Sequence, residues 1–139
     1  MYAVDDRDEV LSLTEVPAPD VGAPLPRLVS GEHEASVTYY VRSNDDEEVT
    51  VTFSGLYALY FGAPNEEAFE GHPLASRGLA PWGAFEVKHS SWVRALERMN
   101  RVHPHHRAET FDSLRHFVLS FHDTTFECVA KRTSAAPAV

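Results

Sequence analysis

Apolar and polar residues alternate along several stretches after residue 35, which predicts β-strands. In "SVTYYVR", residues 36–42, and in "VTVTF", residues 49–53, apolar side chains recur at every second position. This period of two is typical of a strand with one buried face. The acidic stretch "SNDDEE" predicts a turn that joins the two runs into a hairpin. Beyond a bend predicted at Ser54-Gly55, "LYALYF" and "AFEVK" predict a third and a fourth strand.

The segment "SSWVRALERMNRVHP", residues 90–104, carries a helical pattern instead. Trp92, Leu96 and Met99 recur at helical spacing, with arginines and a glutamate on the opposite face. A serine at 90 or 91 suits the N-cap, and Pro104 disfavours helical geometry at the residue before it. These signals predict one amphipathic helix, and "HRAETFDSL" predicts a second, shorter one.

The stretch "RHFVLSFHDTTFEC", Arg115–Cys128, predicts a closing hairpin with a defined register. Pairing Phe121 with Phe126 around a loop of "HDTT" separates the apolar residues from the polar ones. The apolar face then comprises Phe117, Leu119, Phe121, Phe126, Cys128 and Ala130. The other face comprises His116, Val118, Ser120, His122, Thr125, Glu127, Val129 and Lys131. Cys128 is therefore expected to be a small core hydrophobe rather than a nucleophile.

Together these elements predict an α+β fold in which a curved, mainly antiparallel sheet of about five to six strands packs on one main α-helix. Residues 1–34 contain a proline-rich stretch without clean periodicity, so we expect an extended N-terminal arm that docks on the domain or stays partly disordered. Residues 35–132 form the domain, and residues 133–139 a flexible C-terminal tail. The long connection at 62–83 is typical of a lid or binding loop.

Composition limits the class of protein. The chain has 139 residues, 43% of them hydrophobic, and its aromatic residues (8 Phe, 5 Tyr and 2 Trp) suffice for the core of one domain. No apolar run approaches the roughly 20 residues of a membrane span, and the acidic N-terminus does not resemble a signal peptide. A single cysteine excludes an internal disulfide framework. These features predict a cytoplasmic protein that does not bind a membrane.

Charge is distributed unevenly along the chain. Residues 1–70 hold 15 Asp and Glu against 3 Arg, whereas residues 71–139 hold 6 against 9 Lys and Arg, together with 7 of the 8 histidines. The formal net charge of −9 argues against general nucleic-acid binding, which requires a basic surface. The asymmetry indicates either that the two halves pack against each other or that the basic half lines a pocket for an anionic ligand.

Three motifs together resemble those of a family of small, uncharacterised bacterial proteins. They are "FGAPNEEAFEGHPL", "SSWVRALERMNRVHPHH" and "RHFVLSFHDTTFECVA", and they cover roughly residues 60–130. The resemblance implies a bacterial intracellular protein. It implies no activity, cofactor or site residue.

The polar face of the last hairpin gives the first candidate site. In the predicted register Ser120 lies directly opposite Glu127, while His122 is its diagonal neighbour at about 7–8 Å. Glu127 would orient the His122 ring, and His122 would act as a general acid or base. The alternative is an ordinary solvated sheet face. Ser120 is expected to bind the ligand. The long loop and the fourth strand are expected to add further ligand-binding residues to this site, namely His72, Arg77, Trp82 and Glu86.

The cluster "HPHH" gives a second candidate, because histidine is the commonest ligand of transition metals. His103, His106 and Glu109 would hold a divalent ion, although no second spaced pair completes a four-ligand site. The alternative is that His103 caps the C-terminus of the helix.

Three functions follow from these residues. The first is binding of a small molecule, with anions among the candidates, in a pocket lined by His, Arg and Glu, together with acid–base chemistry by His122. The second is a noncatalytic interaction module that binds a protein partner or a second copy of itself through an edge strand. The third is a metalloprotein. Whether the chain is an enzyme is left open by the sequence.

Overall fold

The alternating segments form strands of two antiparallel sheets. A computed structural model describes residues 2–42 and 44–138, with the backbone alone for 44–46. The strands are β1 (Glu9–Ser12), β2 (Arg27–Ser30), β3 (Glu34–Val41), β4 (Asn44–Ser54), β5 (Ala58–Gly62), β6 (Gly83–Lys88), β7 (Arg115–Ser120), β8 (Thr125–Ala130) and β9 (Arg132–Pro137). One sheet has the order β1-β6-β7-β8-β5, and the other has the order β2-β3-β4-β9.

The single α-helix of the described residues, α1, spans Ser91–Asn100. Ser90, one of the two serines predicted as the N-cap, occupies that position. The Ser90 hydroxyl accepts hydrogen bonds from Trp92 N and Val93 N. Short 3-10 helices cover Phe69–Gly71 and Ala75–Arg77, and a third covers Ala108–Phe111 where a second helix was predicted.

The main core lies between the two sheets. Phe53 from β4 contacts Phe117 from β7 and Phe126 from β8, with ring centroids 5.4 and 5.1 Å apart. Alternate residues of β3 and β4 supply one wall of this core, and the predicted apolar face of the last hairpin supplies the other. Cys128 is fully buried there, as predicted, and burial raises the pKa of its thiol.

The α+β class and the antiparallel pairing are confirmed, but the single sheet predicted from the sequence is wrong. Gly55, at φ +66°, turns the chain out of β4 in one sheet and into β5 of the other. A positive φ favours glycine because it has no Cβ. The chain therefore builds a two-layered core, with α1 on the outer face of the five-stranded sheet.

Both ends of the chain contribute strands. The segment expected to be an arm supplies β1, which pairs with β6, and β2, which pairs with β3. The segment expected to be a flexible tail supplies β9, which pairs with β4. In each case backbone pairing orders a segment that has no hydrophobic alternation of its own, and for β1 and β9 the partner strand is distant in the chain.

The outer face of the five-stranded sheet is also covered. The 62–83 loop crosses it and buries Phe69, Leu74 and Leu79 against Val87 of β6 and Val118 of β7. Trp92 of α1 lies edge-on against His116 of β7, with ring centroids 5.2 Å apart. Across the described residues, no helix is long and apolar enough to span a membrane.

Candidate functional site

A carboxylate and two imidazoles meet on this covered outer face. His116 Nε2 lies 2.8 Å from Glu127 Oε1, and His72 Nε2 lies 2.6 Å from Glu127 Oε2. All three side chains are 0% exposed. We call Glu127, His72, His116, Tyr2 and Ser90 the Glu127 cluster.

The strand register brings Glu127 and His116 together. Glu127 pairs with Val118, so His116, two residues from Val118, lies diagonally opposite Glu127 on the same face. His72 arrives from the long loop, where it follows the first 3-10 helix. A sheet face and a loop therefore deliver the two imidazoles to opposite oxygens of one carboxylate.

Hydrogen bonds to the other ring nitrogens assign the tautomers. Leu74 N donates to His72 Nδ1 at 3.0 Å, so that nitrogen carries no proton. The Ser90 hydroxyl accepts from two backbone N–H groups, which leaves its proton free to donate to His116 Nδ1 at 2.8 Å. Each ring therefore carries its proton on Nε2 and donates it to Glu127. In this arrangement both imidazoles are neutral and the negative charge lies on Glu127.

The carboxylate is held ionised although it is buried. Burial by itself would raise the pKa of Glu127, but the hydrogen bonds from His116 and His72, together with electrostatic attraction to the two rings, outweigh it and lower the pKa to about 2. The Tyr2 hydroxyl donates a third bond to Glu127 Oε1 at 2.6 Å. Burial and the charge of Glu127 raise the pKa of Tyr2 far above its usual range, so the hydroxyl remains a donor.

A groove of about 310 Å³ lies beside the Glu127 cluster, between α1 and β5. Tyr2 and Glu127 form its inner end, and Tyr2 stacks on Trp92 with ring centroids 5.4 Å apart. We call it the α1–β5 groove. Its lining residues are Tyr2, Leu59, Tyr60, Trp92, Ala95, Leu96, Met99 and Glu127. An apolar groove that ends at a buried carboxylate is suited to a small molecule with an apolar body and one polar group.

The structure does not bring the predicted pair His122 and Glu127 together. The turn has the predicted length but lies one residue earlier in the chain, at residues 121–124 instead of 122–125. As a result Ser120 pairs with Thr125, and Glu127 pairs with Val118. His122 lies in the turn, four residues along the chain from Val118. Its Nδ1 is 2.9 Å from Glu66 Oε2, and its side chain is 37% exposed.

Ser120 and Glu86 have structural partners instead. The Ser120 hydroxyl donates to Ala80 O at 2.7 Å and accepts from Gly83 N at 3.0 Å, which fixes the end of the long loop. Glu86 lies on β6 and accepts two hydrogen bonds from Arg115, at 2.8 and 3.0 Å. These bonds lower the pKa of Glu86 against the effect of its burial.

Of the four candidates from the long loop and β6, His72 alone belongs to the Glu127 cluster. Arg77 is exposed in the second 3-10 helix. Trp82 Nε1 donates to Glu66 Oε2 at 2.8 Å, and the Trp82 carbonyl accepts from Arg42. Neither Arg77 nor Trp82 lines the α1–β5 groove.

The three predicted metal ligands have separate partners. His103 Nδ1 accepts from His105 N at 3.0 Å, His106 Nδ1 lies 2.9 Å from Asn100 Nδ2, and exposed Glu109 lies 4.0 Å from Arg107 Nε. Within residues 2–42 and 44–138, no three His, Cys, Asp or Glu side chains are grouped to hold a metal ion.

Four residues of the site were missed from the sequence: Tyr2, Ser90, Trp92 and His116. His116 and Glu127 were predicted to share a face, and the correct turn position would have made them diagonal neighbours. Ser90 and Trp92 were used only to predict the helix, because the sequence does not show their contacts with His116. Tyr2 gave no local signal, because its partner lies 125 residues away in the chain.

Comparison of the chain with protein-family models, curated proteins and solved structures finds no match. The resemblance to a family of small bacterial proteins stays a prediction.

Proposed function

We propose that this protein binds a small, largely apolar molecule in the α1–β5 groove, and that the molecule carries a hydrogen-bond donor directed at Glu127. The observation that carries the proposal is the ionised, buried carboxylate at the inner end of an apolar groove. A buried charge costs several kcal/mol to desolvate, and a concave apolar site with one such group is the common form of a ligand pocket.

The sign of the charge decides the polar group of the ligand. Glu127 is negative and both imidazoles are neutral in the assigned tautomers, so an anionic group would be repelled at this end of the groove. The anion that the arginine and histidine content favoured is therefore replaced in the proposal by a neutral donor. Acid–base chemistry by His122 stays a separate prediction, as do the bacterial origin and the cytoplasmic location.

The apolar wall gives the size and chemistry of the ligand body. Leu59 and Leu96 are half-buried, while Met99 is 66% exposed and Tyr60 39% exposed at the open side. Covering such side chains contributes about 25 cal/mol per Å² of apolar surface removed from water. A body of two fused or linked rings would fill a groove of about 310 Å³.

A titration with N-phenyl-1-naphthylamine tests the proposal. This neutral dye has an apolar body and a single N–H donor, and its fluorescence rises in an apolar site. We expect saturable binding to the wild-type protein. Ala95→Trp fills the groove and should weaken binding about tenfold or more, which corresponds to about 1.4 kcal/mol.

The matched control is Ala80→Trp, which adds the same side chain at an exposed loop position and should leave the affinity unchanged. Thermal unfolding of both variants verifies that they are folded. Dye that fails to saturate the wild-type protein, or that binds Ala95→Trp as tightly as wild type, contradicts the proposal.

A second function, the interaction module, is supported by the edge strand β5. Tyr57, Tyr60 and Phe61 are 43%, 39% and 36% exposed on or beside this strand, which is at one end of the five-stranded sheet. An apolar edge of this kind can pair with a second copy of the chain. Sedimentation at increasing concentration tests it, with a dimer that Tyr60→Lys abolishes as the supporting result and a monomer throughout as the opposing one.

A further inference from the structure

Tyr2 occupies the inner end of the α1–β5 groove in the way that a bound aromatic molecule would. Its ring stacks on Trp92 at an interplanar angle of 14° and meets the edge of His116 at 90°. Its hydroxyl donates to Glu127 at 2.6 Å, a length typical of a charge-assisted O–H···O⁻ bond. Two ring contacts and one directed hydrogen bond thus define a site for a phenol.

The segment that carries Tyr2 is attached mainly through side chains. In the part of the chain that the structure describes, the backbone–backbone hydrogen bonds of residues 2–8 stay within the segment, between Asp8 N and Asp5 O. Asp5 makes two hydrogen bonds with Arg94, at 2.6 and 2.8 Å, and Asp8 accepts from Ser91 N at 2.7 Å. Tyr2 can therefore leave the groove without breaking a strand pair.

The Asp5–Arg94 pair is the weaker of these attachments, because Asp5 is 39% exposed. Ion pairs with this much contact with water contribute little to stability. Asp8, by contrast, is buried and accepts from the N-terminus of α1, so the segment is held more firmly at that end. Tyr2 itself is held by its ring contacts and the Glu127 hydrogen bond, and Val4 beside it packs on the outer-face core.

We propose that Tyr2 is an internal ligand of a phenol-binding subsite formed by Trp92, His116 and Glu127, and that the groove takes up 4-substituted phenols which displace it. The inference rests on the function proposed above and names its ligand class. The phenol ring replaces Tyr2, and the 4-substituent extends along Leu96 and Met99. No bond is made or broken in this exchange of one hydroxyl for another.

The side-chain analogue of tyrosine tests the subsite. Tyr2→Ala empties it, and 4-methylphenol should then bind and raise the melting temperature of the variant. Toluene has the same shape without the hydroxyl and should bind about tenfold more weakly, since the charge-assisted hydrogen bond to Glu127 is lost. In the wild-type protein 4-methylphenol must compete with Tyr2, so the shift at the same concentration should be smaller.

Equal shifts with 4-methylphenol and toluene, or no shift with either, would overturn the proposal. Because Tyr2→Ala removes a half-buried side chain, Tyr2→Phe provides a second, milder variant. The phenylalanine ring of this variant makes no hydrogen bond to Glu127 and therefore competes less well with a ligand for the subsite. 4-Butylphenol should accordingly bind Tyr2→Phe about tenfold more tightly than wild type. Butylbenzene lacks the hydroxyl and should bind each protein about tenfold more weakly than 4-butylphenol does, and equal affinities of the two proteins for 4-butylphenol would refute displacement.

The dye titration separates this inference from the proposed function. Binding of N-phenyl-1-naphthylamine that Ala95→Trp abolishes, together with no effect of 4-methylphenol on Tyr2→Ala, would retain the groove and reject the phenol subsite. Absence of saturable dye binding to the wild-type protein would reject the groove itself, whatever effect 4-methylphenol has on Tyr2→Ala.

Discussion

Glu127 keeps a negative charge inside the molecule because three donors surround it. An unpaired buried carboxylate would take up a proton, whereas hydrogen bonds from two imidazoles and a phenol favour the ionised form. Leu74 N and the Ser90 hydroxyl act one step further away, since they keep the proton of each imidazole on the nitrogen that faces Glu127. The charge state of the cluster therefore depends on two groups that do not touch Glu127.

Glu127→Gln tests the value of this arrangement. The amide has one oxygen where the carboxylate has two, so its NH₂ group must face one of the imidazole N–H groups and leave a buried donor without an acceptor. We expect a loss of about 2–3 kcal/mol in the free energy of unfolding, measured by urea denaturation. Exposed Glu70→Gln should change it by less than about 0.5 kcal/mol. A loss of that small size for Glu127→Gln would contradict the assigned hydrogen bonds.

The same residue predicts a pH dependence. The pKa of Glu127, about 2 in the folded protein, lies below its ordinary value of 4.5, so the stabilisation is complete above pH 4.5 and is lost as the pH falls towards 2. Arg115 also lowers the pKa of Glu86, and Arg94 lowers that of Asp5, so these carboxylates contribute to the acid loss of stability as well. Their contribution cancels in the stability difference between wild type and Glu127→Gln. This difference should narrow by about 2 kcal/mol between pH 7 and pH 3.

A difference that stays constant over this range would show that the pKa of Glu127 is the same in the folded and the unfolded protein. A difference that widens in acid would indicate that its pKa is raised rather than lowered.

At the level of residues, the sequence predicted which side chains belong to the site better than it predicted which of them contact each other. Glu127 and His72 were both predicted as site residues, because carboxylates and imidazoles are few on the faces concerned. The partner of Glu127 was assigned as His122 instead of His116, since the turn position decides which histidine is diagonal. Burial of Phe121 against Tyr39 of the other sheet accompanies the observed turn, and a hairpin considered alone does not reveal that contact.

At the level of elements, the start of α1 connects the helix to the Glu127 cluster. The Ser90 hydroxyl caps two backbone N–H groups and donates to His116, so one side chain serves both structures. The helix itself was predicted from the serine pair, the apolar spacing and the proline, all of which are local signals. Its role in holding an imidazole could not be predicted, because that contact spans 26 residues of the chain.

Adjacent serines provide a matched test of this connection. Ser90→Ala removes the cap and the donor to His116, and we expect a loss of about 2 kcal/mol in the free energy of unfolding. The Ser91 hydroxyl is buried and has no hydrogen-bond partner among the described residues, so Ser91→Ala should be neutral within about 0.5 kcal/mol. Equal losses for the two substitutions would show that the Ser90 hydroxyl contributes no more to stability than another hydroxyl at the start of the helix.

At the level of the whole molecule, the four-stranded sheet packs on the inner face of the five-stranded sheet and forms the main core with it. The site is therefore built on the outer face of the five-stranded sheet. The core between the sheets holds Phe53 at 0% exposure, while Phe61 on the edge strand is 36% exposed. Phe53→Ala should reduce the free energy of unfolding by about 3–5 kcal/mol, and Phe61→Ala by about 1 kcal/mol. Urea denaturation measures both, and similar losses would contradict a core shared by two sheets.

This two-sheet arrangement was the least predictable feature of the fold. The strands β3, β4, β6, β7 and β8 have alternation or apolar runs that the sequence makes visible. Strands β2 and β9 do not, because Arg27–Ser30 follows four prolines and Arg132–Pro137 is almost fully exposed. Backbone pairing orders both: β2 forms a hairpin with β3, which follows it in the chain, whereas β9 pairs with the distant strand β4, a contribution that no window of sequence contains.

The central claim is that a small apolar molecule with a donor binds between α1 and β5. The most direct measurement is a set of nuclear Overhauser effects between the aromatic protons of bound N-phenyl-1-naphthylamine and the protein methyl groups. We predict contacts with the methyl groups of Leu96 and Met99, which line the groove on α1. Contacts with methyl groups elsewhere on the protein, such as exposed Val29 on β2, would contradict the claim.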